Sequence, residues 1–211
     1  MDAGESETRR TLVELAGSLF ARGFSVGTAG NISARLPDGY LMTPTNSSLG
    51  RLDAERLSKL DAKFRHVGGD RPSKEVFMHR AFYDARPDAG AVVHLHSTMA
   101  TAVACLPDAD PVAPIPPLTP YFVMRIGATL PVVPYYRPGD PAMDPAIAAA
   151  AREARAVLLA NHGPVVSGGT LADAVYAAEE LEEAARLFLM LRGGPVRLLT
   201  APQIKALLPQ G

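Results

Sequence analysis

A turn signal, Pro37-Asp38-Gly39, separates two strand-like runs, Ile32 to Leu36 and Tyr40 to Thr43. Residues of these types favour chain reversal between extended segments. The pair reads as a β-hairpin, so the sheet that contains it is at least partly antiparallel. Ala91 to His96 is a further strand by its β-branched, alternating character, and Ala156 to Ala160 is a buried one. Leu130 to Val133 suggests an edge strand, and Val196 to Leu199 the last strand, with a short helix behind it. Helical segments lie between the strands. In 6–22, Leu12, Leu15, Ala16, Leu19 and Phe20 fall at i, i+3, i+4, i+7 and i+8, and Gly23 supplies the stop. Ser73 is a good N-cap for a helix from Lys74 to about Arg86, ended by Pro87. Thr98 to Leu106, Ala142 to Ala154 and Leu171 to Leu191 are helical, and Asp53 to Leu60 reads as a short helix. The stretch 107–120 is Pro-rich and irregular. No repeat or low-complexity linker divides the chain. Strands and helices mixed in this way predict a layered α/β fold as one domain over 1–211.

Composition bounds the partners. Charged residues make up 20% and the net charge is −1, so no overall field favours nucleic acid or an anionic membrane. An anionic ligand needs a local site. No segment reaches the ~18 consecutive apolar residues of a membrane span, and Met1 to Glu5 lack the basic start of a secretory signal. The expected compartment is the cytoplasm. The single cysteine, Cys105, excludes an internal disulfide and reads as a buried small hydrophobe.

The sharpest chemical signal is His94-Leu95-His96. Strand side chains alternate, so both imidazoles face one side while Leu95 faces the other, toward the core. Neutral imidazole is a common zinc ligand, and three protein ligands with one open position is the usual catalytic arrangement. A bare His-x-His also occurs by chance as two surface histidines. His162, where an apolar strand meets Gly163-Pro164, supplies a third. Of the other two histidines, His66 falls in a polar loop and His79 on a helix, and both read as structural or solvated. Glu75 lies in the first turn of the helix after Ser73. There it is either a carboxylate favoured by the helix dipole or a general acid/base beside a cation, with a fourth-ligand role when substrate is absent.

Loops suited to an anion surround these residues. Gly27-Thr28-Ala29-Gly30-Asn31 can wrap an anion with backbone amides, although it is neither a Walker A loop nor a dinucleotide fingerprint. Thr43 to Ser48 adds hydroxyls and an amide, and Ser73-Lys74 adds a hydroxyl, a helix start and a positive charge. Together they suggest a phosphate pocket. The loop Pro134-Tyr135-Tyr136-Arg137-Pro138-Gly139-Asp140 either touches substrate or a neighbouring subunit, or is a rigid surface turn. The acidic run Glu179 to Glu183 reads as the solvated face of the long helix.

Five ordered motifs then carry a resemblance. Gly-Thr-Ala-Gly-Asn-Ile-Ser (27–33), Met-Thr-Pro-Thr (42–45), Pro-Ser-Lys-Glu (72–75), Val-Val-His-Leu-His-Ser (92–97) and Ala-Asn-His-Gly-Pro (160–164) resemble the class II aldolase/adducin family over about residues 10–205. Lys74, the segment Thr119-Pro120-Tyr121 with Val123-Met124-Arg125, and the Tyr135-Tyr136-Arg137 loop look most like its 3-oxo-tetronate 4-phosphate decarboxylase branch. Aldolase relatives of the L-fuculose-phosphate type usually carry serine at the position of Lys74, and 4-epimerase relatives Asp at that of Glu75.

The resemblance implies a three-layer α/β/α sandwich around a mixed, mostly antiparallel sheet. It implies zinc or another divalent cation on His94, His96 and His162, with Glu75 as acid/base, and phosphate contacts from Gly30, Asn31, Thr45, Asn46, Ser73 and Lys74. Thr28, Tyr121 and Tyr136 are further candidates to touch substrate. It implies a homotetramer with active sites near subunit interfaces, acting on a phosphorylated small molecule. The reaction it implies is loss of CO2 through a metal-stabilised enediolate to give dihydroxyacetone phosphate. Aldol cleavage generates the same enediolate, so a sugar-phosphate aldolase is the alternative. A 4-epimerase or a non-catalytic adducin-like binding protein stands behind it. One departure is Asn46, where the family usually has glycine.

Overall fold

The computed structural model describes residues 3–208. Eight strands form one sheet: β1 (Asn31–Leu36), β2 (Gly39–Met42), β3 (Ser58–Asp61), β4 (His66–Gly68), β5 (Ala91–His94), β6 (Val132–Val133), β7 (Ala156–Leu159) and β8 (Gly163–Gly168). Their spatial order is β4-β3-β2-β1-β5-β8-β7-β6. Every neighbouring pair is antiparallel except β6 with β7. The expected hairpin is β1–β2, with Leu36 opposite Gly39 and Ser33 opposite Met42.

Side-chain alternation divides the sheet into two apolar faces. Ile32, Leu41, Val93, Leu158 and Val166 point to one face. There they meet helices α1 (Ala3–Ala21), α3 (Thr98–Ala104), α4 (Pro120–Arg125) and α6 (Leu171–Leu191), with α7 (Ala201–Leu207) partly buried against the same core. Met42, Val92, Val157 and Val165 point to the other face and pack on α2 (Val76–Ala85) and α5 (Asp144–Glu153). The result is the α/β/α sandwich that the resemblance implied. No helix among the described residues is long and apolar enough to cross a membrane.

Several sequence expectations need correction. Asp53 to Leu60 is not a helix: Ala54–Arg56 makes one 3-10 turn and the chain then enters β3. There Ser58 and Leu60 are buried while Lys59 and Asp61 are half-exposed, the period of a strand and not of a helix. Val196 to Leu199 is not a strand. Its residues are mostly exposed, and Leu199 N–H donates instead to the Pro117 carbonyl at 3.1 Å. Gly163-Pro164 begins β8, which the sequence reading did not separate from the turn before it. His66 lies on the short strand β4, not in a loop. Cys105 follows α3 and is exposed.

The acidic run on α6 is bound to its neighbours. Glu182 accepts the backbone N–H of Met99 and of Ala100, both at 2.8 Å. The α3 N-cap Ser97 makes no side-chain cap of its own, so a carboxylate from another helix satisfies these donors. Glu179 pairs with Arg22, and Glu180 accepts from Thr119 Oγ1 at 3.5 Å.

Candidate metal centre

Two backbone segments bring the histidines together. β5 ends at His94, and the chain continues beside β8 through Leu95 N–H donating to the Pro164 carbonyl at 3.2 Å. His94 shares the face of Val92, toward α2, and Leu95 is fully buried in the opposite core. His162 sits in the tight turn from β7 to β8, after Asn161, whose φ of 55° is left-handed. Gly163 closes that turn against the histidine strand. A Cβ there would stand 2.3 Å from the Leu95 carbonyl oxygen, so a side chain would push the two segments apart.

The ring nitrogens converge. His96 Nε2 lies 3.1 Å from His94 Nε2 and 3.0 Å from His162 Nε2. His94 Nδ1 is 2.9 Å from the Pro164 carbonyl, which can only accept, so Nδ1 carries the proton and Nε2 presents a bare lone pair. Burial pushes the His94 pKa well below the usual imidazole range, and neighbouring His162 and His96 push the same way. Burial likewise lowers His96 and His162, against the raising pull of Glu75. Three neutral imidazoles with nitrogens turned toward one point suit a divalent cation. Nitrogen ligands ~2.0–2.1 Å from a tetrahedral zinc stand about 3.3 Å apart, close to the spacings between these rings. This is the one grouping of this kind found among the described residues.

Glu75 closes the cluster. It is the N-cap of α2, one residue before the helix and not within its first turn. Ser73 does not cap a longer helix; its Oγ accepts the Glu75 N–H at 3.2 Å and fixes the entry of the chain. The Glu75 carboxylate places Oε2 3.7 Å from His94 Nε2 and Oε1 3.6 Å from His162 Nε2. Asn31 Nδ2 donates to Glu75 Oε2 at 2.7 Å.

A cavity of about 270 Å³ opens beside this cluster. Thr28, Gly30, Asn31, Thr45, Asn46, Ser73 and Lys74 all line it, together with Glu75 and His96. The proposed phosphate set is therefore brought together. Gly30, at φ 79°, packs so closely on β5 that a Cβ would lie 2.9 Å from the His94 carbonyl oxygen. Asn46 adopts φ 57°, a left-handed conformation that asparagine and glycine tolerate better than other residues. That accounts for an asparagine where glycine is usual. Two candidates are not part of the cavity lining. Tyr121 is 64% exposed and lines a separate cavity with Arg125 and Arg155. Tyr136 packs against the α2–α5 side of the core, and it is Pro138 and Gly139 of its loop that reach the cavity.

Sequence reasoning missed the support behind Asn31. His79, on α2, is completely buried, with Nε2 2.5 Å from Asn31 Oδ1 and Nδ1 2.7 Å from Ser33 Oγ. Ser33 Oγ is in turn 2.9 Å from Tyr83 Oη. Burial holds the His79 pKa at about 3, helped by nearby His94 and opposed by Glu75, so the ring is neutral. The one local hint was the spacing of four between Glu75, the N-cap of α2, and His79 on that helix.

Comparison with known proteins agrees with this geometry. Residues 10–189 match the model of the Class II Aldolase and Adducin N-terminal domain. The chain is 50% identical over 204 residues to a 3-oxo-tetronate 4-phosphate decarboxylase of Haemophilus influenzae, covering 96% of this chain and 97% of that protein. It is 33% identical over 201 residues to an L-fuculose phosphate aldolase of Escherichia coli, covering 94% and 91%. YgbL from Klebsiella pneumoniae, a candidate aldolase/epimerase/decarboxylase, superposes with a TM-score of 0.93 at 49% identity, covering 97% of this chain and 99% of that one. The motifs, the sheet and the histidine cluster converge with these matches: the chain belongs to the class II aldolase and adducin family.

Proposed function

We propose that this chain is a zinc-dependent carbon–carbon lyase that converts 3-oxo-tetronate 4-phosphate to dihydroxyacetone phosphate and CO2. The observation that carries the reading is the shared cavity. It joins His96 and Glu75 of the metal cluster to the hydroxyls, amides and ammonium expected to hold a phosphate. Identity with the decarboxylase, well above that with the aldolase, selects the bond that breaks.

His94, His96 and His162 would hold the cation, beside Glu75 and the cavity. A divalent cation supplies Lewis acidity, which favours negative charge on the ketone oxygen of the 3-oxo acid. Thr45, Asn46, Ser73 and Lys74 hold the phosphate end, with the Gly30–Asn31 backbone beside them. The C1–C2 bond breaks, its electron pair stays on C2 and spreads to the ketone, and CO2 leaves. Glu75 relays a proton from solvent to C2. Asn31 orients the Glu75 carboxylate. Lys74, exposed at the cavity rim, attracts the substrate's anionic groups.

We also propose that the chain assembles as a homotetramer, as its family resemblance implies. The purified, zinc-loaded protein should release CO2 from 3-oxo-tetronate 4-phosphate and leave L-fuculose 1-phosphate largely intact. Clean aldol cleavage of the sugar phosphate with no CO2 release would overturn the assignment.

A further inference from the structure

Behind Glu75 runs a file of buried polar groups: Asn31, His79, Ser33 and Tyr83. Consecutive contacts are 2.7, 2.5, 2.7 and 2.9 Å, beginning at Glu75 Oε2. A neutral imidazole has one donor nitrogen and one acceptor nitrogen. The direction of the whole file therefore follows from which nitrogen of His79 carries the proton. With the proton on Nε2, His79 donates to Asn31 Oδ1, Ser33 donates to Nδ1 and Tyr83 donates to Ser33. Asn31 must then turn its amide N–H toward Glu75. With the proton on Nδ1 the file reverses, and Asn31 Oδ1 would face a carboxylate oxygen, acceptor against acceptor. Only the first direction gives Glu75 Oε2 a donor, as the 2.7 Å contact with Asn31 Nδ2 requires.

We propose that His79 is a positioning residue for Glu75: its Nε2–H fixes the Asn31 side-chain amide so that Nδ2 donates to Glu75 Oε2 and holds the carboxylate against the metal cluster. This rests on the reading of Glu75 as the acid/base, and it adds a buried histidine that touches neither substrate nor cation. Asn31 alone could rotate by half a turn and present its oxygen at nearly the same place, since its two ends are almost isosteric. His79 removes that freedom. The Asn31 and Glu75 contacts come from β1 and the start of α2, so the file also ties the acid/base to the sheet.

The test separates direction from activity. In ¹⁵N NMR of histidine-labelled protein, His79 is expected to show a protonated Nε2 and a bare Nδ1; the opposite tautomer would overturn the proposal whatever the substrate proves to be. Kinetics use His79→Leu, which removes both bonds, and His79→Gln, whose amide nitrogen can replace Nε2. Supporting groups of this kind typically matter about 10–100-fold. We expect His79→Leu to lose about that much kcat, with KM within about threefold and metal content unchanged, and His79→Gln to recover most of it. Equal loss in both folded, metal-loaded variants, or no loss in either, would sink the idea. Should His79→Leu not fold, His79→Gln and the tautomer decide. Activity is scored on whichever phosphorylated substrate the wild type turns over. A wild type inert on 3-oxo-tetronate 4-phosphate therefore counts against the proposed reaction, not against the role of His79.

Discussion

Glu75 is held from several directions at once. Its backbone N–H is bound by Ser73, its Oε2 by Asn31, and both oxygens stand within 4 Å of a histidine nitrogen. Glu75→Gln keeps the shape and removes the proton-transfer group. We expect kcat to fall by about 10²–10⁴-fold while the three histidines retain the metal, checked by steady-state kinetics beside metal analysis. At this scale much was legible. His94 and His96 announce themselves by a two-residue step, and His162 by its place at a strand end. His79 did not, because a histidine four residues after a glutamate is also an ordinary exposed helix pair, and only the tertiary fold buries it against β1. Tyr136 misled for the opposite reason: an aromatic, Pro-bounded loop looks like a binding surface, yet its ring turns inward and the backbone of Pro138-Gly139 is what meets the cavity.

Elements were read well where one face repeats and poorly where tertiary bonds decide. α6 spans Leu171–Leu191 as its apolar period predicts. β3 was mistaken for helix because four residues carry too little period to separate the two, and its pairing with β2 is what settles it. Val196 to Leu199 has strand-like composition but no neighbouring edge to bond along its length. The Glu182 contact with α3 joins residues more than eighty positions apart and leaves no local trace. Glu182→Ala should therefore behave as the loss of a helix cap, lowering stability by about 0.5–2 kcal/mol in urea unfolding. Gly163→Ala should do more. The added methyl meets the Leu95 backbone oxygen, so it must move the turn that carries His162 away from His96. We expect metal affinity to fall along with stability, measured by competition with a chelator. A variant that binds metal as wild type does would contradict this account of the turn.

The layered α/β class was legible in the mixture of strands and helices, and the three-layer arrangement through the family resemblance. Acid stability is a property of the whole molecule. His79 has a folded pKa of about 3 against an ordinary 6.5, so the unfolded chain binds the extra proton as pH falls. Its contribution is complete above about pH 6.5 and is lost as the pH drops toward 3, at up to about 1.4 kcal/mol per pH unit. Metal-free His79→Gln should show a shallower loss than metal-free wild type across that window, read from urea midpoints. Metal removal at neutral pH should lower the melting temperature by about 5–10 °C relative to protein at a hundredfold excess of metal over its Kd, because ions bound only to the native state stabilise it by about 2.7 kcal/mol.

The two outermost strands have a consequence of their own. β4 is three residues long and pairs irregularly with β3, and β6 is two residues long. Each rim thus offers few free backbone donors and acceptors to a second chain. Copies of this molecule are poorly equipped to zip sheet to sheet into an open-ended fibre. Any closed assembly they make must be sealed by helices and loops, where shape limits the number of partners.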